Sequence, residues 1–376
     1  MVELKGITWD HPRGYAPLEA SIERYFNESG VRVTWHRRTL KDFGDTPIEV
    51  LADNYDLLVL DHPHMGNIHA NGCLIDLNDF LSDEERKAFS IESVGPSFLS
   101  YNYHNHQYAI PIDAACQVAA FRPDLIASSK LPQTWEEVIS LSNTLKSIAK
   151  FIGFALCPTD CNCTFLTLSA QLGHPALAAN DELIPLDAGV RILQMMKSLL
   201  NCSHPDSINM NPIQLYNYMT SHDDIVYSPL AFAYINYANS SFDKPLAFTG
   251  IPCKKQAILG GAGIAISSKS KQINNAAEYV KWICAANYQK EFYLQEGGQP
   301  GQLSAWTEKS NDGLKNDFFY SILPTIENAF VRPRIAGWPQ YQEWLGDVVH
   351  EYLTNNQNPE IVIDKLNQQY KMQFKN

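Results

Sequence analysis

The sequence predicts an α/β protein built on mostly parallel sheets flanked by helices. Three observations carry this. The first 65 residues read strand, helix, strand, helix, strand, a repeat whose parallel strands are joined by right-handed crossovers. The third of those strands, in YDLLVLD (55–61), is a continuous apolar run, as expected for a strand covered on both faces. A glycine-entered strand, GGAGIAISS (260–268), returns late in the chain and precedes an amphipathic helix. The length of 376 residues predicts two or three domains.

The elements follow in order. LKGITW (4–9) is a short strand ending in the loop DHPRGY (10–15). Leu18, Ile22, Tyr25 and Phe26 stand at i, i+4, i+7 and i+8, one helix face over 17–29, and Gly30 stops that helix. VRVTWHR (31–37) alternates as a strand, residues 47–54 form a short helix, and YDLLVLD ends in the loop HPHMGN (62–67). Ser82 with Glu85, and Thr134 with Glu137, read as capping boxes opening helices. YAIPID (108–113) and AACQVAAF (114–121) read as two successive strands. FIGFALCP (151–158) reads as a strand and 164–172 as a helix. Helices over 186–201 and 211–221, the strand DIVYSPL (224–230), a helix, and PLAFTGIP (245–252) come next. Residues 276–293 and most of 338–371 read as helical. The prolines at 111 and 252 mark the best places for the chain to change domain.

Acidic residues outnumber basic ones 41 to 29, a net charge of −12. That excess argues against a nucleic-acid binder, which needs a basic surface to displace counterions, and against attachment to anionic lipid by charge. No window reaches the roughly 18 apolar residues of a membrane helix. The N-terminal run MVELKGITWD carries no basic segment, apolar leader or lipoprotein cysteine. The expectation is a periplasmic or extracellular protein after leader removal, or a cytoplasmic one if Met1 is the native start. Of eight cysteines only Cys157, Cys161 and Cys163 cluster, without the second half of a zinc motif.

Four segments carry a family likeness. YAIPIDAACQVAAFRPDLI, LPQTWEEVISLSNTL, GGAGIAISSKSKQINNAAEYVKWICAANYQKEF and QPGQLSAW hold, in that order and spacing, motifs that resemble the extracellular solute-binding proteins of ABC importers, the branch with the maltose-type binders. The likeness extends over roughly residues 1–345. It implies a two-lobed periplasmic-binding-protein-like fold, each lobe a sheet with flanking helices, and a ligand cleft at the hinge. Lobe one would comprise 1–112 and 255–308, lobe two 113–254 and 309–376. It further implies a non-enzymatic monomer whose partners are a small-molecule ligand and the permease subunits.

Candidate ligand contacts fall in seven places. Trp9, His11 and Arg13 sit in the loop after the first strand, and the Arg13 fork suits a carboxylate or phosphate. The competing reading is a helix-capping loop. Asp61, His62 and His64 follow the third strand. With His11 they would supply three nitrogens and an oxygen for a metal, but no local spacing places the remaining ligands, so no metal and no cofactor is assigned. Asp113 lies past YAIPI at the hinge, where the resemblance implies a polar contact. Thr159 and Asp160 follow FIGFAL beside Cys157, for which no thiolate-stabilising partner is evident. Tyr227, with Tyr234, offers an aromatic face where the family stacks a ring on its ligand, core packing being the alternative. Gly261, in a glycine run that is neither a P-loop nor a dinucleotide fingerprint, reads as cleft wall. Arg332 and Trp338 lie where the family sends an aromatic into the cleft. Together the aromatics favour a sugar-like solute, and Arg13 with His11, His62 and His64 suggests a carboxylate-bearing one. The predicted function is capture of a small polar organic solute, carbohydrate or carboxylate, by hinge closure. The alternatives are an intracellular sensor or enzyme on the same fold, and metal-ion capture.

Overall fold

The computed structural model describes residues 1–177, 179–239, 242–254, 256–307 and 313–375, with the side chains of 45 and 313–316 left aside. Its strands are β1 (Glu3–Trp9), β2 (Arg32–Arg38), β3 (Leu57–Leu60), β4 (Asn102–Tyr103), β5 (His106–Gln107), β6 (Ile110–Phe121), β7 (Phe151–Ile152), β8 (Ile225–Phe232), β9 (Ala247–Thr249) and β10 (Leu259–Ile266). Among the described residues they form an eight-stranded sheet of order β2-β1-β3-β10-β6-β8-β7, with β9 also on β6, and a β4-β5 hairpin. β1 runs parallel to β2 and β3, as the opening repeat predicts. The glycine-entered β10 lies antiparallel between β3 and β6.

β6 organises the molecule. The two strands expected from YAIPID and AACQVAAF are one strand of twelve residues, all buried. Its first half, Ile110–Cys116, pairs with β10. Its second half, Gln117–Phe121, pairs with β8, and β9 pairs beside it. Alanine and other small side chains let layers close on both faces, so nothing in the run forces a turn at Asp113. One core gathers Leu4, Val33, Val59, Ile112 and Ile264 with Tyr279 and Ile283 of the following helix. Another gathers Phe154, Phe165, Ile192 and Val226 with Trp338, Leu345 and Leu366 of the C-terminal helices. Of the expected lobe boundaries, 112/113 lies inside β6, and those at 255 and 308–309 lie outside the described residues.

Helix starts differ from the sequence expectation in an instructive way. α1 runs Pro12–Ser29, with His11 as its cap, rather than starting at residue 17. His62–His64 form a 3-10 turn running into the helix Met65–Asn71. FIGFALCP supplies only the two residues of β7, and the next helix is Pro158–Gln171, six residues longer at its N-terminus than expected. In each case a proline opens the helix, where its missing N–H is no loss and its fixed φ fits. Segments that read as polar loops are therefore first turns. The Ser82–Glu85 capping box forms as expected. At Thr134 only half does: its hydroxyl accepts from Glu137 N, while the Glu137 carboxylate takes Gln133 N instead of Thr134 N.

Candidate functional site in the interlobe cleft

A cavity of about 520 Å³ lies over β6 and β10 at Asp113, Ala115 and Gly260–Ala262. It is walled on one side by Trp9, Arg13, Asp61 and α2 (Leu40–Asp45), and on the other by the start of helix Pro158–Gln171, by Phe232 at the end of β8 and by Tyr234 beyond it. Arg332, Glu343 and Asp347 also line it, as do Cys157, Cys163 and the helix start at Asn211, Pro212 and Gln214. Strand carboxyl ends thus point at the cavity, the usual ligand position in such sheets. Gly261, at φ +99°, stands where a side chain could not: a Cβ there would lie 2.5 Å from the Asp113 carbonyl oxygen, and the register against β6 shifts just beyond it, between Ala262 and Gly263.

At the β1 and β3 ends the charged groups pair with one another, while Arg332 Nε and His62 Nε2 are buried without a hydrogen-bond partner among the described residues. Arg13 clasps Asp113 with both arms, Nε to Oδ2 at 2.8 Å and Nη2 to Oδ1 at 2.5 Å, and donates Nη1 to the Ala233 carbonyl at 2.6 Å. Its guanidinium stands 4.5 Å over the Tyr234 ring. Burial works against its charge, but Asp113 outweighs it and holds Arg13 above its ordinary range. Asp61 likewise holds Arg332, Oδ2 to Nη2 at 2.5 Å, and accepts His62 N at 2.8 Å. Burial would raise Asp61, yet Arg332 and then His62 keep it well below the usual carboxylate range.

The histidines are neutral. Burial, helped by Arg13, lowers His11 to about 3, and burial lowers His62 and His64 to about 4. His11 caps α1, its Nδ1 accepting Arg13 N at 3.2 Å, with its ring edge-on to Tyr234. His62 is fully buried edge-on to Tyr101. The expectation that these three bring positive charge to an anionic ligand is therefore corrected. They are buried in the neutral, singly protonated form, and none lines the cavity. Nor do they gather for metal: among the described residues no group of three ligating side chains is placed to hold an ion.

The opposite wall is different. Asp160, in the first turn of helix Pro158–Gln171, is only 5% exposed and accepts a bond from the Cys157 thiol at 3.1 Å. Burial pushes its carboxyl up to about 7. Burial also pushes the Cys157 thiol far up, which leaves it a protonated donor and no nucleophile. Thr159 is exposed at the cavity wall. Glu343 and Asp347 come from helix Trp338–Thr354, which seats directly on this turn: a Cβ at Gly346 would lie 2.3 Å from the Pro158 carbonyl oxygen.

Comparison with known proteins accords with this architecture. The family model described as bacterial extracellular solute-binding protein matches residues 48–312. The chain belongs to that family. Solute binding is the family's defining property. A probable ABC transporter-binding protein of Deinococcus radiodurans is 22% identical over 275 residues, covering 67% of this chain and 65% of the relative's own length. A solute-binding protein of Agrobacterium radiobacter K84 in complex with ribitol superposes with a TM-score of 0.84 at 22% identity, covering 99% of both chains. A maltose-bound protein of T. maritima gives 0.84 at 17% identity, covering 99% of this chain and 100% of its own. Among the described residues no helix is long and apolar enough to cross a membrane.

In this family setting the predicted residues divide. Trp9, Arg13, Asp61, Asp113, Thr159, Asp160, Gly261 and Arg332 line the cleft. His11, His62, His64, Tyr227 and Trp338 do not. Tyr227 sits inside β8 in the core. Trp338 is the fully buried first residue of its helix, with Nε1 donating to Gln342 Oε1 at 3.1 Å. The aromatic faces in the cleft are instead Trp9, Phe43, Phe232 and Tyr234. Lys41 and Phe43 follow the carboxyl end of β2, so the strand-end rule that picked the β1 and β3 loops would have found them. Glu343 and Asp347 carry no such signal, because acids four apart on an amphipathic helix ordinarily mark its solvated face.

Proposed function

We propose that this protein is the substrate-binding component of an ABC importer and that it captures a small polyhydroxylated solute between its two lobes. The observation that carries the reading is the cleft itself. Its volume suits a solute of sugar size, its rings offer apolar faces to C–H groups, and its two guanidinium groups are already neutralised by carboxylates. A carboxylate-bearing solute would find those cations engaged, so of the two expected classes the carbohydrate is favoured. The bound ligands of the ribitol and maltose complexes belong to the same chemical class.

The lobes in this reading are 1–112 with 255–308, and 113–254 with 309–376, and closure about β6 and its neighbours traps the solute. Binding then selects the closed state, which the permease recognises. The test is a thermal-shift screen of the purified protein against sugars, polyols and organic acids. Stabilisation by members of the first two groups is expected. A response confined to organic acids, or no response, would overturn the proposal.

A further inference from the structure

Asp61, Asp113 and Asp160 all line the cleft, and they are held in two ways. Asp61 and Asp113 each lie against a guanidinium, of Arg332 and Arg13. Asp160, 5% exposed, makes no ion pair among the described residues and takes its hydrogen bond from the Cys157 thiol. A carboxyl buried at a cavity wall without a cation resists ionisation, because burial disfavours its charged form. Asp160 is accordingly pushed up to about 7, so both of its forms are present near neutral pH. Of the groups facing it, Cys157, Cys161 and Cys163 on its own helix, Tyr216 on helix Pro212–Ser221 and Tyr234 beyond β8 are pushed up by burial and keep their protons. Arg13 and Arg332 stay charged. Lys41 on α2, and Glu343 and Asp347 on helix Trp338–Thr354, complete the charged lining.

We propose that solute capture is coupled to the ionisation of Asp160: the cleft receives solute hydroxyls on the carboxylate form, and the carboxyl proton leaves to water as it does so. The inference rests on the proposed solute-binding reading and adds a control by pH to the same site. A polyhydroxylated solute arrives with O–H donors. A carboxylate accepts them in charge-assisted bonds, about twice as strong as those between neutral groups. Hydrogen bonds to the charged form favour that form, so the solute supplies what burial without a cation withholds. In the step one carboxyl O–H bond breaks, its electron pair stays on the oxygen and nothing is oxidised or reduced.

The experiment is calorimetric titration of the whole chain at pH 6, 7 and 8 with the sugars and polyols of the thermal-shift screen, ribitol, D-glucose and maltose among them. Each titration is run in two buffers of different ionisation enthalpy, which counts the protons released. For a solute that binds, affinity should fall about tenfold from pH 8 to pH 6, following the ionised fraction of a carboxyl held at about 7. Roughly half a proton per solute should leave at pH 7, and more at pH 6. In Asp160→Asn, checked for folding by circular dichroism, affinity should stay within about twofold over the same range, with no proton released. Carbon-13 NMR of the parent reads the group with no variant: one carboxyl carbon should titrate near neutrality in the free protein and at lower pH once solute saturates it. Affinity that is flat or rises toward acid, or an Asp160→Asn variant that keeps the parent's pH dependence, would overturn the coupling and leave the solute-binding reading standing. Silence of every sugar and polyol at all three pH values would overturn both.

Discussion

The two walls of the cleft use similar residue types to opposite ends. On the β1 and β3 side, the arginines, aspartates and histidines that look like ligand contacts are engaged with one another or with helix starts. Arg13 holds Asp113, Arg332 holds Asp61, His11 caps α1, and His62 and His64 are buried neutral. On the helix side, Asp160 is 5% exposed, lines the cleft, and accepts a hydrogen bond from the Cys157 thiol rather than from a charged partner. The difference teaches that a polar residue at a strand end is a candidate contact only after its neighbours have taken their share.

The largest expected effect tests whether the first wall is structural. Arg13→Ala would leave the Asp113 carboxyl, which burial already pushes up, fully buried without its partner. Such a break costs about 4 kcal/mol, read as a fall in the urea midpoint. Replacing both, as Arg13→Met with Asp113→Leu, should recover most of it, because two apolar groups need no desolvation. A single substitution costing less than about 1 kcal/mol would return Arg13 to the ligand.

Next comes acid. His11, His62 and His64 have folded values below their ordinary one. Between about pH 4 and 6.5 the unfolded chain therefore binds more protons at these sites, and stability falls as pH falls. Each contributes about 1.8 kcal/mol of loss between pH 7 and 5. Asp160 works the other way: its folded value is raised, so its protonation returns about 2 kcal/mol over the same interval. The net expectation is a loss of about 3 kcal/mol. Chemical denaturation at the two pH values measures it, and a flat profile would show the histidines to be solvated.

Much of this was legible in the sequence. The β-α-β-α-β opening and the apolar period of YDLLVLD reflect local patterning, and both form as read. Asp61 and Arg13 reach the cleft because strand carboxyl ends do so in any such sheet. What stayed hidden was non-local. Nothing near Arg13 announces a partner one hundred residues on, and nothing near Trp338 announces that its helix will bury it. The prolines at 12 and 63 read as loop residues and Pro158 as the end of a strand, although each lies in the first turn of a helix. That error turned caps into contacts and moved the start of Asp160's helix six residues late.

A smaller effect sharpens the second wall. Asp160→Asn removes a carboxyl whose ionisation burial opposes, so the unliganded variant should gain stability over the parent as pH rises. The carboxyl, held at about 7 and set beside Cys157, Tyr216, Tyr234 and the acids of helix Trp338–Thr354, is protonated at pH 5 and ionised at pH 8. The parent alone bears that cost. The difference between the two proteins should therefore grow by about 2 kcal/mol between those pH values. No growth would mean that water reaches Asp160 freely.

The smallest effect separates contact from scaffold within one helical turn. Thr159 lies next to Asp160 but is exposed at the cavity wall and makes no side-chain hydrogen bond among the described residues. Thr159→Ala should leave the urea midpoint within about 0.5 kcal/mol, as surface substitutions do. Its hydroxyl, free to meet a solute hydroxyl, should contribute about 1 kcal/mol to binding, a loss of roughly fivefold in affinity for whichever sugar the screen identifies. Because stability and affinity part company here, the outcome does not depend on folding. A fall in stability with unchanged affinity would place Thr159 with the structural residues of the opposite wall.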